Sequence, residues 1–360
     1  MPTSIAIIGA SGSVGSTLAA HILRSEILEP ADRLQLVGRG ASKSERVLLA
    51  TRVDLLDAFD HERIEIEMVP RIADVDADIV VVSAGVGLSP QCTNRRDMGV
   101  RNVELFESIA EDCARNVPDA LFIVVSNPVE LAVRILTAKL NRARVMGMGA
   151  QQDSLRFARA IAKDLGVSRH DVRAGVLGEH GEAMVPLWSS VEFQVPSLEL
   201  HASFAKLKEE AAAVPIHERV VSLRNEVAEH LHADRIPEAY EVARRALPDA
   251  RVFIEPFITG FCMQSTPNAT ANATLQCIVA ALANDRRRIH GQVLLDAEVL
   301  NLHGVCGIPI TLSRGGWREE PLKLTPGEEK ATRGAIDSIN DFAAQVLAQP
   351  RVGTAVDLVS

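Results

Sequence analysis

The chain has 360 residues, a length typical of about two or three domains of ~150 residues each, or of one large α/β unit. It carries 38 lysines and arginines against 47 acidic residues, and the net charge of −9 argues against a protein that coats nucleic acid or an anionic membrane. Apolar residues make up 47% and charged residues 24%, which excludes wholesale disorder. Aromatic residues are only 4%, so we expect a core of small aliphatic side chains, which suits buried parallel strands and helices.

The first 149 residues alternate short β-branched runs with helical patterns, which predicts βαβ units in a doubly wound parallel sheet. Two of the runs, Asp78–Ser83 and Leu121–Ser126, are continuously apolar, as central strands covered on both faces should be. The remaining predicted strands are Ile5–Ile8, Leu34–Val37 and Glu65–Val69, with helices over Val14–Ser25 and Val100–Asn116.

Residues 150–350 mix helical and alternating segments, which predicts a C-terminal α+β substrate domain. Thr325 and Glu328 have the spacing of a capping box, so a helix should begin there. An extra segment around 235–261 is charged and carries three prolines, and its pattern indicates no role. The other predicted elements are helices over about Asp153–Leu165 and Ser203–Leu231, and alternating segments at Val191–Val195 and Ile308–Leu312.

The five cysteines are odd in number, widely separated and never spaced as Cys-x-x-Cys. This favours isolated reduced thiols over a disulfide framework or a metal site. No apolar run approaches the ~18 residues of a membrane span, and Met1-Pro2-Thr3 leads into an apolar strand without a basic leader. The sequence therefore predicts a soluble cytoplasmic protein that holds no metal.

A glycine-rich turn separates the first predicted strand from the first predicted helix, with glycines at Gly9, Gly12 and Gly15. The first glycine permits a tight turn, the second lets a diphosphate approach the backbone, and the third lets the helix pack on the strand. The helix N-terminus, including Ser13 and Val14, would then offer N–H groups to the phosphates. This pattern predicts a Rossmann-type dinucleotide-binding domain over residues 1–149, although an ordinary strand–turn–helix is the alternative.

The second predicted strand ends without the acidic residue that normally binds the ribose 2′-hydroxyl of NAD. Arg39, Ser42 and Lys43 stand where the 2′-phosphate of NADP would lie. We therefore predict NADP as the preferred cofactor, with NAD as the other possibility. The alternative is that this segment is only a solvated basic turn.

Several polar motifs follow predicted strands or begin helices, as substrate-binding groups of α/β proteins do. His180 lies in Gly178-Glu179-His180-Gly181, directly after an apolar run. Asp153 and Arg156 are three residues apart on one helix, and therefore on adjacent parts of one face. Asn127 follows one buried strand, and a loop after another carries Arg95, with Asn102 beyond it.

These motifs, in this order, resemble the lactate/malate dehydrogenase family over nearly the whole chain. Each motif is weak alone, but the ordered set is specific. The segments that carry the resemblance are the glycine turn, Asp54–Ala58, Ala77–Val80 leading to Ala84-Gly85-Val86, Arg95 with Asn102, Asn127-Pro128-Val129, Gly147-Met148-Gly149, Asp153–Arg156, Gly178–Gly181, Val185-Pro186, Trp188-Ser189 and Gly307-Ile308-Pro309.

The resemblance implies hydride transfer between NAD(P)H and a small 2-oxo acid or L-2-hydroxy acid. His180 would be the general acid/base, because its unperturbed pKa lies near neutrality, and Asp153 would orient its ring. Arg156 would bind the substrate carboxylate, and Arg95, on a mobile loop, would polarise the carbonyl as the loop closes. Asn127 would bind the reacting oxygen and help to seat the nicotinamide, and Asn102 is expected in the cofactor site. The resemblance also implies a homodimer or homotetramer.

Leu88 stands where malate dehydrogenases carry an arginine for a second carboxylate. A dicarboxylate would lose a charge-assisted pair worth about 1.5–3 kcal/mol, so Leu88 favours a neutral or apolar 2-substituent. Gln91 or Arg96 could still fill this place if the loop takes another path. Gln152 also departs from the family, which usually has leucine before the aspartate, and Thr270 lies about where the family tunes side-chain size.

Two alternatives from other classes share the fold. One is an NAD-dependent glycosidase, which needs a metal held by cysteine and histidine, and no such pair flanks Asn127 or Asp153 in the sequence. The other is a catalytically inactive nucleotide-binding sensor, against which the complete proton-transfer set argues.

Overall fold

The structure, a computed structural model, describes residues 2–38, 42–87, 92, 94–283 and 285–350, and for Ser42 and Lys43 only the backbone. In the N-terminal half, parallel strands alternate with helices, as the sequence predicts. The elements are β1 (Ser4–Ile8), α1 (Ser13–Arg24), β2 (Arg33–Val37), α2 (Ser42–Phe59), β3 (Glu65–Val69), β4 (Ile79–Val82), α3 (Arg95–Asn116), β5 (Leu121–Val124), α4 (Val129–Thr137) and β6 (Val145–Gly147).

The C-terminal half mixes antiparallel strands with helices. Its elements are α5 (Gly149–Leu165), β7 (Val172–Gly178), β8 (Met184–Phe193), α6 (Leu198–Ala212), α7 (Ile216–His232), α8 (Ile236–Arg245), α9 (Pro248–Met263), α10 (Pro267–Ala283), β9 (Arg288–Asp296), β10 (His303–Ser313), β11 (Gly316–Glu319) and α11 (Pro326–Leu347). The predicted capping box of Thr325 and Glu328 is present at the start of α11.

One sheet runs through both halves in the order β3-β2-β1-β4-β5-β6-β9-β10-β7-β8, with β11 paired to β10. The first six strands are parallel, and the antiparallel contact of β6 with β9, at Gly147 and Gln292, joins the halves. This confirms the predicted α/β class, a parallel Rossmann sheet followed by an α+β half. The predicted domain boundary after Gly149 lies at the first residue of α5 and stays a prediction.

The central strands are buried on both faces, which explains their continuous apolar runs. In β1, Ile5 and Ile7 belong to one core cluster while Ala6 and Ile8 belong to another on the opposite face. Because β1, β4 and β5 are parallel, their carboxyl ends meet at one edge, where the polar motifs follow.

Two sequence predictions for the C-terminal half need correction or completion. The predicted helix over Ser203–Leu231 is wrong as a single element, because the chain breaks between α6 and α7, where Pro215 stands before the first residue of α7. The segment 235–261 forms α8 and most of α9, and it is part of a core. Its buried Arg251 pairs with Asp164 at 2.8 Å and donates to the carbonyl of Ala246 at the end of α8. Within the described ranges, no helix is long and apolar enough to cross a membrane.

Candidate active site

The turn between β1 and α1 leaves no room for a side chain at two of its glycines. Gly9 has a φ of +90°, and a Cβ there would lie 2.6 Å from the backbone nitrogen of Ala84. A Cβ on Gly15 would lie 2.5 Å from the carbonyl oxygen of Gly9. Gly12 is the N-cap of α1, so helix geometry leaves the N–H groups of the first turn, Ser13–Gly15, without acceptors in the helix. This backbone cradle fits the diphosphate of a dinucleotide.

The basic residues predicted for the ribose end of the cofactor lie mostly outside the described residues. This holds for Arg39 and for the side chains of Ser42 and Lys43, although the backbone of Ser42 begins α2. In the first turn of α2, the Ser44 hydroxyl oxygen lies 3.5 Å from that of Ser11 in the glycine turn. The start of α2 is therefore adjacent to the glycine turn, and Ser44 adds a polar group that the sequence analysis missed.

His180 and Asp153 form a close, largely buried pair. The Nδ1 atom of His180 lies 2.6 Å from Oδ2 of Asp153, whose side chain is 1% exposed. His180 follows β7 and Asp153 lies in the first turns of α5, so two distant segments meet here. A Cβ on Gly149 would lie 2.5 Å from Cγ of His180, so a glycine at the start of α5 lets the ring pack there. With Nδ1 held by the carboxylate, Nε2 is the nitrogen that can exchange a proton with a ligand.

Arg156 shares the same carboxylate. Its Nη1 atom donates to Oδ1 of Asp153 at 3.0 Å, one turn back along α5. Its Nη2 atom lies 3.5 Å from the Thr266 hydroxyl oxygen, just before α10. Asp153 thus uses one oxygen for the imidazole and the other for the guanidinium, which fixes the two groups side by side.

A small ring of hydrogen bonds supports the Thr266 hydroxyl beside Arg156. The amide of Gln152 donates to Thr266 at 3.1 Å and accepts from the Thr270 hydroxyl at 3.4 Å. The two threonine hydroxyl oxygens are 3.3 Å apart, which closes the ring. The sequence indicates Gln152 only as a departure from the family and Thr270 only as a position near which the family tunes side-chain size, because their contact with each other requires the fold.

Arg95 is not on a loop. It is the first residue of α3, where Asn94 caps the helix by accepting from the N–H of Asp97 at 2.9 Å, so the predicted loop position is wrong. The predicted mobility of this segment stays a prediction. Its Nη2 atom pairs with Oε2 of Glu130 at 2.6 Å, and its Nη1 atom pairs with Glu179. Both terminal nitrogens of the guanidinium are therefore engaged by carboxylates. No motif in the sequence includes Glu130, and Glu179 lies in the His180 motif without a role of its own.

The same two carboxylates hold the segment that carries His180. Oε1 of Glu130 accepts from the backbone N–H of His180 at 2.6 Å, and Oε2 of Glu179 accepts from that of Ala183 at 2.9 Å. Glu130 is 2% and Glu179 is 6% exposed. Taking the cation away from a buried pair costs about 3–5 kcal/mol, whereas a hydrogen bond to a charged group contributes about 1.5–3 kcal/mol.

Two asparagines lie at the carboxyl ends of the central strands. Asn127 follows β5 and is exposed. Asn102 is fully buried; its Nδ2 donates to the carbonyl of Asn127 at 2.9 Å, and its Oδ1 accepts from the N–H of Val86 at 2.7 Å. Asn102 thus holds the backbone of two strand ends, so its effect on a cofactor would pass through them. Leu88 lies outside the described residues.

Cys306 is a fully buried thiol of β10 on which the Glu130 carboxylate acts electrostatically. Burial, together with the Glu130 carboxylate, raises the pKa of the Cys306 thiol to about 12, while a hydrogen bond from the backbone of Gly178 opposes this. Burial that favours the protonated thiol in this way is typical of a structural cysteine.

Comparisons with known proteins identify the family. A model described as the NAD binding domain of lactate/malate dehydrogenase matches residues 3–147, and its alpha/beta C-terminal domain matches residues 151–227. L-lactate dehydrogenase A of Hordeum vulgare is 30% identical over 87% of this chain and 79% of its own length. The L-2-hydroxycarboxylate dehydrogenase (NAD(P)(+)) of Methanocaldococcus jannaschii is 27% identical over 95% of this chain and 98% of its own. The chain belongs to the lactate/malate dehydrogenase family.

A solved structure agrees at the level of the fold. Lactate dehydrogenase of Cryptosporidium parvum, in complex with lactic acid and β-nicotinamide adenine dinucleotide, aligns with a TM-score of 0.74 at 22% identity, covering 97% of this chain and 99% of its own. As a member of the lactate/malate dehydrogenase family, the chain is an NAD(P)-dependent oxidoreductase of 2-hydroxy and 2-oxo acids. This confirms the predicted enzyme class and NAD(H) as a cofactor type, and it favours the dehydrogenase over the glycosidase and sensor alternatives.

Proposed function

We propose that this lactate/malate dehydrogenase family member interconverts a monocarboxylic 2-oxo acid and its 2-hydroxy acid, with His180 as the acid/base. The observation that carries the proposal is the 2.6 Å contact of His180 Nδ1 with an Asp153 carboxylate that also pairs with Arg156. A bound nicotinamide supplies or accepts the hydride at the substrate's C2. The protein itself then has to transfer one proton and bind the substrate carboxylate.

His180 moves the proton. In reduction, protonated His180 gives the proton from Nε2 to the substrate oxygen; in oxidation, neutral His180 takes it back. Asp153 stabilises the cationic imidazole and keeps Nδ1 protonated, so that Nε2 faces the chemistry. Because Asp153 is buried, this interaction is little weakened by solvent.

Arg156 binds the substrate carboxylate. A guanidinium presents five N–H groups in a planar fork, so the contacts with Asp153 and Thr266 leave donors for a second carboxylate. The two partners fix the fork beside His180, which places the substrate's C2 oxygen near the proton donor.

Asn127, exposed at the end of β5, is proposed to donate to the reacting oxygen and to contact the nicotinamide. For Arg95, the contact with the substrate carbonyl that the resemblance implies stays a prediction. In the structure its guanidinium pairs with Glu130 and Glu179, so this contact would need Arg95 to exchange those partners for the substrate.

The substrate is proposed to be a 2-oxo acid with a neutral or apolar 2-substituent. Leu88 supports this, because leucine offers no charge for a second carboxylate. A missing charge-assisted pair of about 1.5–3 kcal/mol corresponds to roughly a 10- to 100-fold preference.

The nucleotide is proposed to be NADP rather than NAD. From Gly38 to Ser44 the sequence contains Arg39 and Lys43 but no acidic residue, and the Ser44 hydroxyl lies beside the glycine turn. A 2′-phosphate would find cations and hydroxyls there, whereas the free 2′-hydroxyl of NAD would lack its usual carboxylate partner.

A second copy of the chain is the proposed macromolecular partner, in a homodimer or homotetramer. Apolar side chains are exposed on α2 at Val47, Leu49 and Val53, and on α9 at Phe257 and Phe261. Exposed apolar groups of this kind favour burial against another subunit. Light scattering of the purified protein should give twice or four times the 38.9 kDa chain mass, and a monomer would contradict this.

We also propose a cytoplasmic location. The five cysteines are free in the structure, and unpaired thiols persist in reducing compartments. Fractionation of the native host should recover the activity with the cytosol, and recovery from an oxidising compartment would contradict it.

A substrate screen tests the proposed chemistry. Pyruvate, oxaloacetate and longer 2-oxo acids are each supplied with NADH or NADPH, and the loss of absorbance is followed. We expect monocarboxylates to exceed oxaloacetate in kcat/KM by about 10-fold or more, and NADPH to exceed NADH. A preference for oxaloacetate or NADH would overturn the corresponding part. In His180→Asn, turnover that stays unchanged would overturn the acid/base role.

A further inference from the structure

The hydroxyl of Ser154 joins the two segments that carry the proton-transfer pair. Ser154 directly follows Asp153 in α5, and its Oγ atom donates to the carbonyl of Ala150 at 2.7 Å, one turn back along the helix. The same oxygen accepts from the backbone N–H of Val176 at 2.9 Å, in β7, the strand that ends two residues before His180. We propose that Ser154 is a positioning residue for the Asp153–His180 pair, and this rests on the proposed function of His180 as the acid/base.

Both hydrogen bonds of Ser154 lie in the protein interior. Ser154 is 4% exposed and Asp153 is 1% exposed. A hydroxyl has one proton and two lone pairs, so it can donate to α5 and accept from β7 at the same time. Without it, the N–H of Val176 would lose its partner in a place that water does not readily reach.

The first turn of α5 is also held from β9. Met148, the N-cap of α5, makes no side-chain cap hydrogen bond, so the first N–H groups of the helix need other acceptors. One of them, the N–H of Ala150, donates to Oε1 of Gln292 at 3.0 Å. Gln292 is fully buried, and among the described residues no partner meets its Nε2, so its oxygen is the atom that stabilises this contact. Ala150 is thus held by both of its backbone polar groups, and a chain of hydrogen bonds runs from β9 through α5 to β7.

Packing fixes the other direction of movement. A Cβ on Gly149 would lie 2.5 Å from Cγ of His180, so the start of α5 already touches the imidazole and cannot approach it further. Ser154 opposes movement away from the ring, because it ties the helix to the strand that precedes His180. The 2.6 Å contact of Nδ1 with Asp153 depends steeply on its geometry, so a small shift of α5 would weaken the hold of the carboxylate on the cationic imidazole.

A positioning role and a purely structural role of Ser154 predict different measurements. If the role is structural, loss of the hydroxyl lowers Tm and leaves the pH dependence of turnover unchanged. If the role is positioning, protonated His180 is also stabilised less well. Reduction needs protonated His180, so the pH above which kcat/KM for reduction falls, here called the basic limb, should move to lower pH. Substitution of Ser154 leaves in place the charged groups around the His180 segment, which are Asp153 and Arg156 of α5, Glu130 of α4, Arg95 of α3, and Glu179 in the same turn.

The experiment compares three variants of the full-length enzyme, Ser154→Ala, Ser154→Thr and Ser190→Ala. For each, Tm is measured, and kcat/KM for reduction of the 2-oxo acid that the substrate screen ranks first is followed across the pH range. Ser190→Ala is the matched control, because the Ser190 hydroxyl donates to Leu187 and accepts from the N–H of Gly175, each at 3.0 Å, and so holds the neighbouring residue of β7 without contacting α5.

We expect Ser154→Ala to lower kcat/KM near neutral pH about 10-fold and to move the basic limb down by about 0.4–1 pH unit, the equivalent of one lost hydrogen bond. Ser154→Thr keeps the hydroxyl and should leave the limb within about 0.2 pH unit of the wild-type position. Ser190→Ala should lower Tm and leave the limb in place.

A Ser154→Ala enzyme with a lower Tm and an unmoved basic limb would overturn the proposal, and so would an equal movement in Ser190→Ala. If Ser154→Ala does not fold, Gln292→Met decides, because it removes the acceptor of the Ala150 N–H at similar volume; its limb should also move to lower pH, and an unmoved limb overturns the proposal. His180→Asn tests the acid/base role separately. Retained turnover in that variant refutes the acid/base role, whereas a limb that disappears in His180→Asn but stays fixed in Ser154→Ala refutes only the positioning role.

Discussion

The two ends of the proposed ligand cleft use different chemical groups. At the nucleotide end, backbone shape dominates: Gly9 and Gly15 leave no space for a Cβ, and the first turn of α1 offers N–H groups. At the proton-transfer end, charged side chains dominate, and Asp153 holds His180 and Arg156 with separate oxygens. One end excludes side chains, whereas the other depends on them.

This difference determines how each end should respond to substitution. A backbone cradle tolerates changes in charge but not in size, while a network of paired charges tolerates small changes in size but not the loss of one partner. Substitutions at the two ends should therefore change different measured quantities. Stability and cofactor affinity report on the glycine turn, and kcat and substrate KM report on the charged end.

Asp153→Asn should have the largest effect. It removes the charge shared by His180 and Arg156 while keeping the size of the side chain. Because an amide can hold the imidazole in the wrong tautomer, we expect kcat/KM to fall on the order of 10³- to 10⁴-fold, a scale known from serine proteases. Steady-state kinetics with the best 2-oxo acid measures this, and cofactor affinity from fluorescence titration should change little. A variant that lost cofactor affinity and kept kcat would remove the contrast between the two ends.

Arg156→Lys should have the next largest effect, in KM rather than in kcat. Lysine keeps the charge but loses the fork that meets Asp153, Thr266 and a carboxylate together. Losing one charge-assisted hydrogen bond of about 1.5–3 kcal/mol should raise KM roughly 10- to 100-fold. Arg159→Lys is the matched control, because Arg159 lies three residues further along α5 and its side chain is exposed. An equal effect of both substitutions would mean that Arg156 has no special contact with substrate.

The sequence predicts the structure of the nucleotide end more completely than that of the charged end, for a physical reason. The glycine turn is local: strand, turn and helix follow one another within 21 residues, so the pattern contains the geometry. The Thr325 capping box is local in the same way. The two carboxylates that pair with Arg95, Glu130 and Glu179, by contrast, lie 49 residues apart, at the start of α4 and after β7. Only the sheet order brings them to Arg95, and no spacing in the sequence indicates this.

The same reason explains the errors. Helical periodicity predicts a helix only over Val100–Asn116, which leaves Arg95 in the preceding loop, yet Asn94 caps the helix and Arg95 is its first residue. The break between α6 and α7 was missed because apolar spacing continues across it, although Pro215 marks the restart. Local patterns predict elements well, while contacts between elements decide which charges meet.

A comparison of the Gly9→Ala variant with the Gly12→Ala variant tests the nucleotide end of the cleft. In Gly9→Ala, the alanine would have to adopt a φ of +90° with its Cβ only 2.6 Å from the Ala84 nitrogen. This strain should lower the free energy of unfolding by about 1–3 kcal/mol or more, which is measured as a lower Tm. At Gly12 a Cβ would lie 3.4 Å from the Gly9 carbonyl, at a φ of −82°, so stability should change less. A methyl group there would instead keep a diphosphate from the backbone and weaken cofactor binding. Equal losses of stability in both variants would contradict this division.

Gln152→Leu should have the smallest effect, and it tests whether the charged end depends on uncharged support. Leucine removes the amide that bridges Thr266 and Thr270, so the Thr266 hydroxyl loses the partner that orients it toward Arg156. One neutral hydrogen bond contributes about 0.5–1.5 kcal/mol, which predicts a rise in substrate KM of roughly 2- to 10-fold with kcat nearly constant. Thr270→Ser, which keeps the hydroxyl, is the control and should leave KM within about 2-fold. If Gln152→Leu lowered kcat instead, the support would extend to His180 through Asp153, and the proton and carboxylate tasks would be coupled more tightly than their separate oxygens on Asp153 imply.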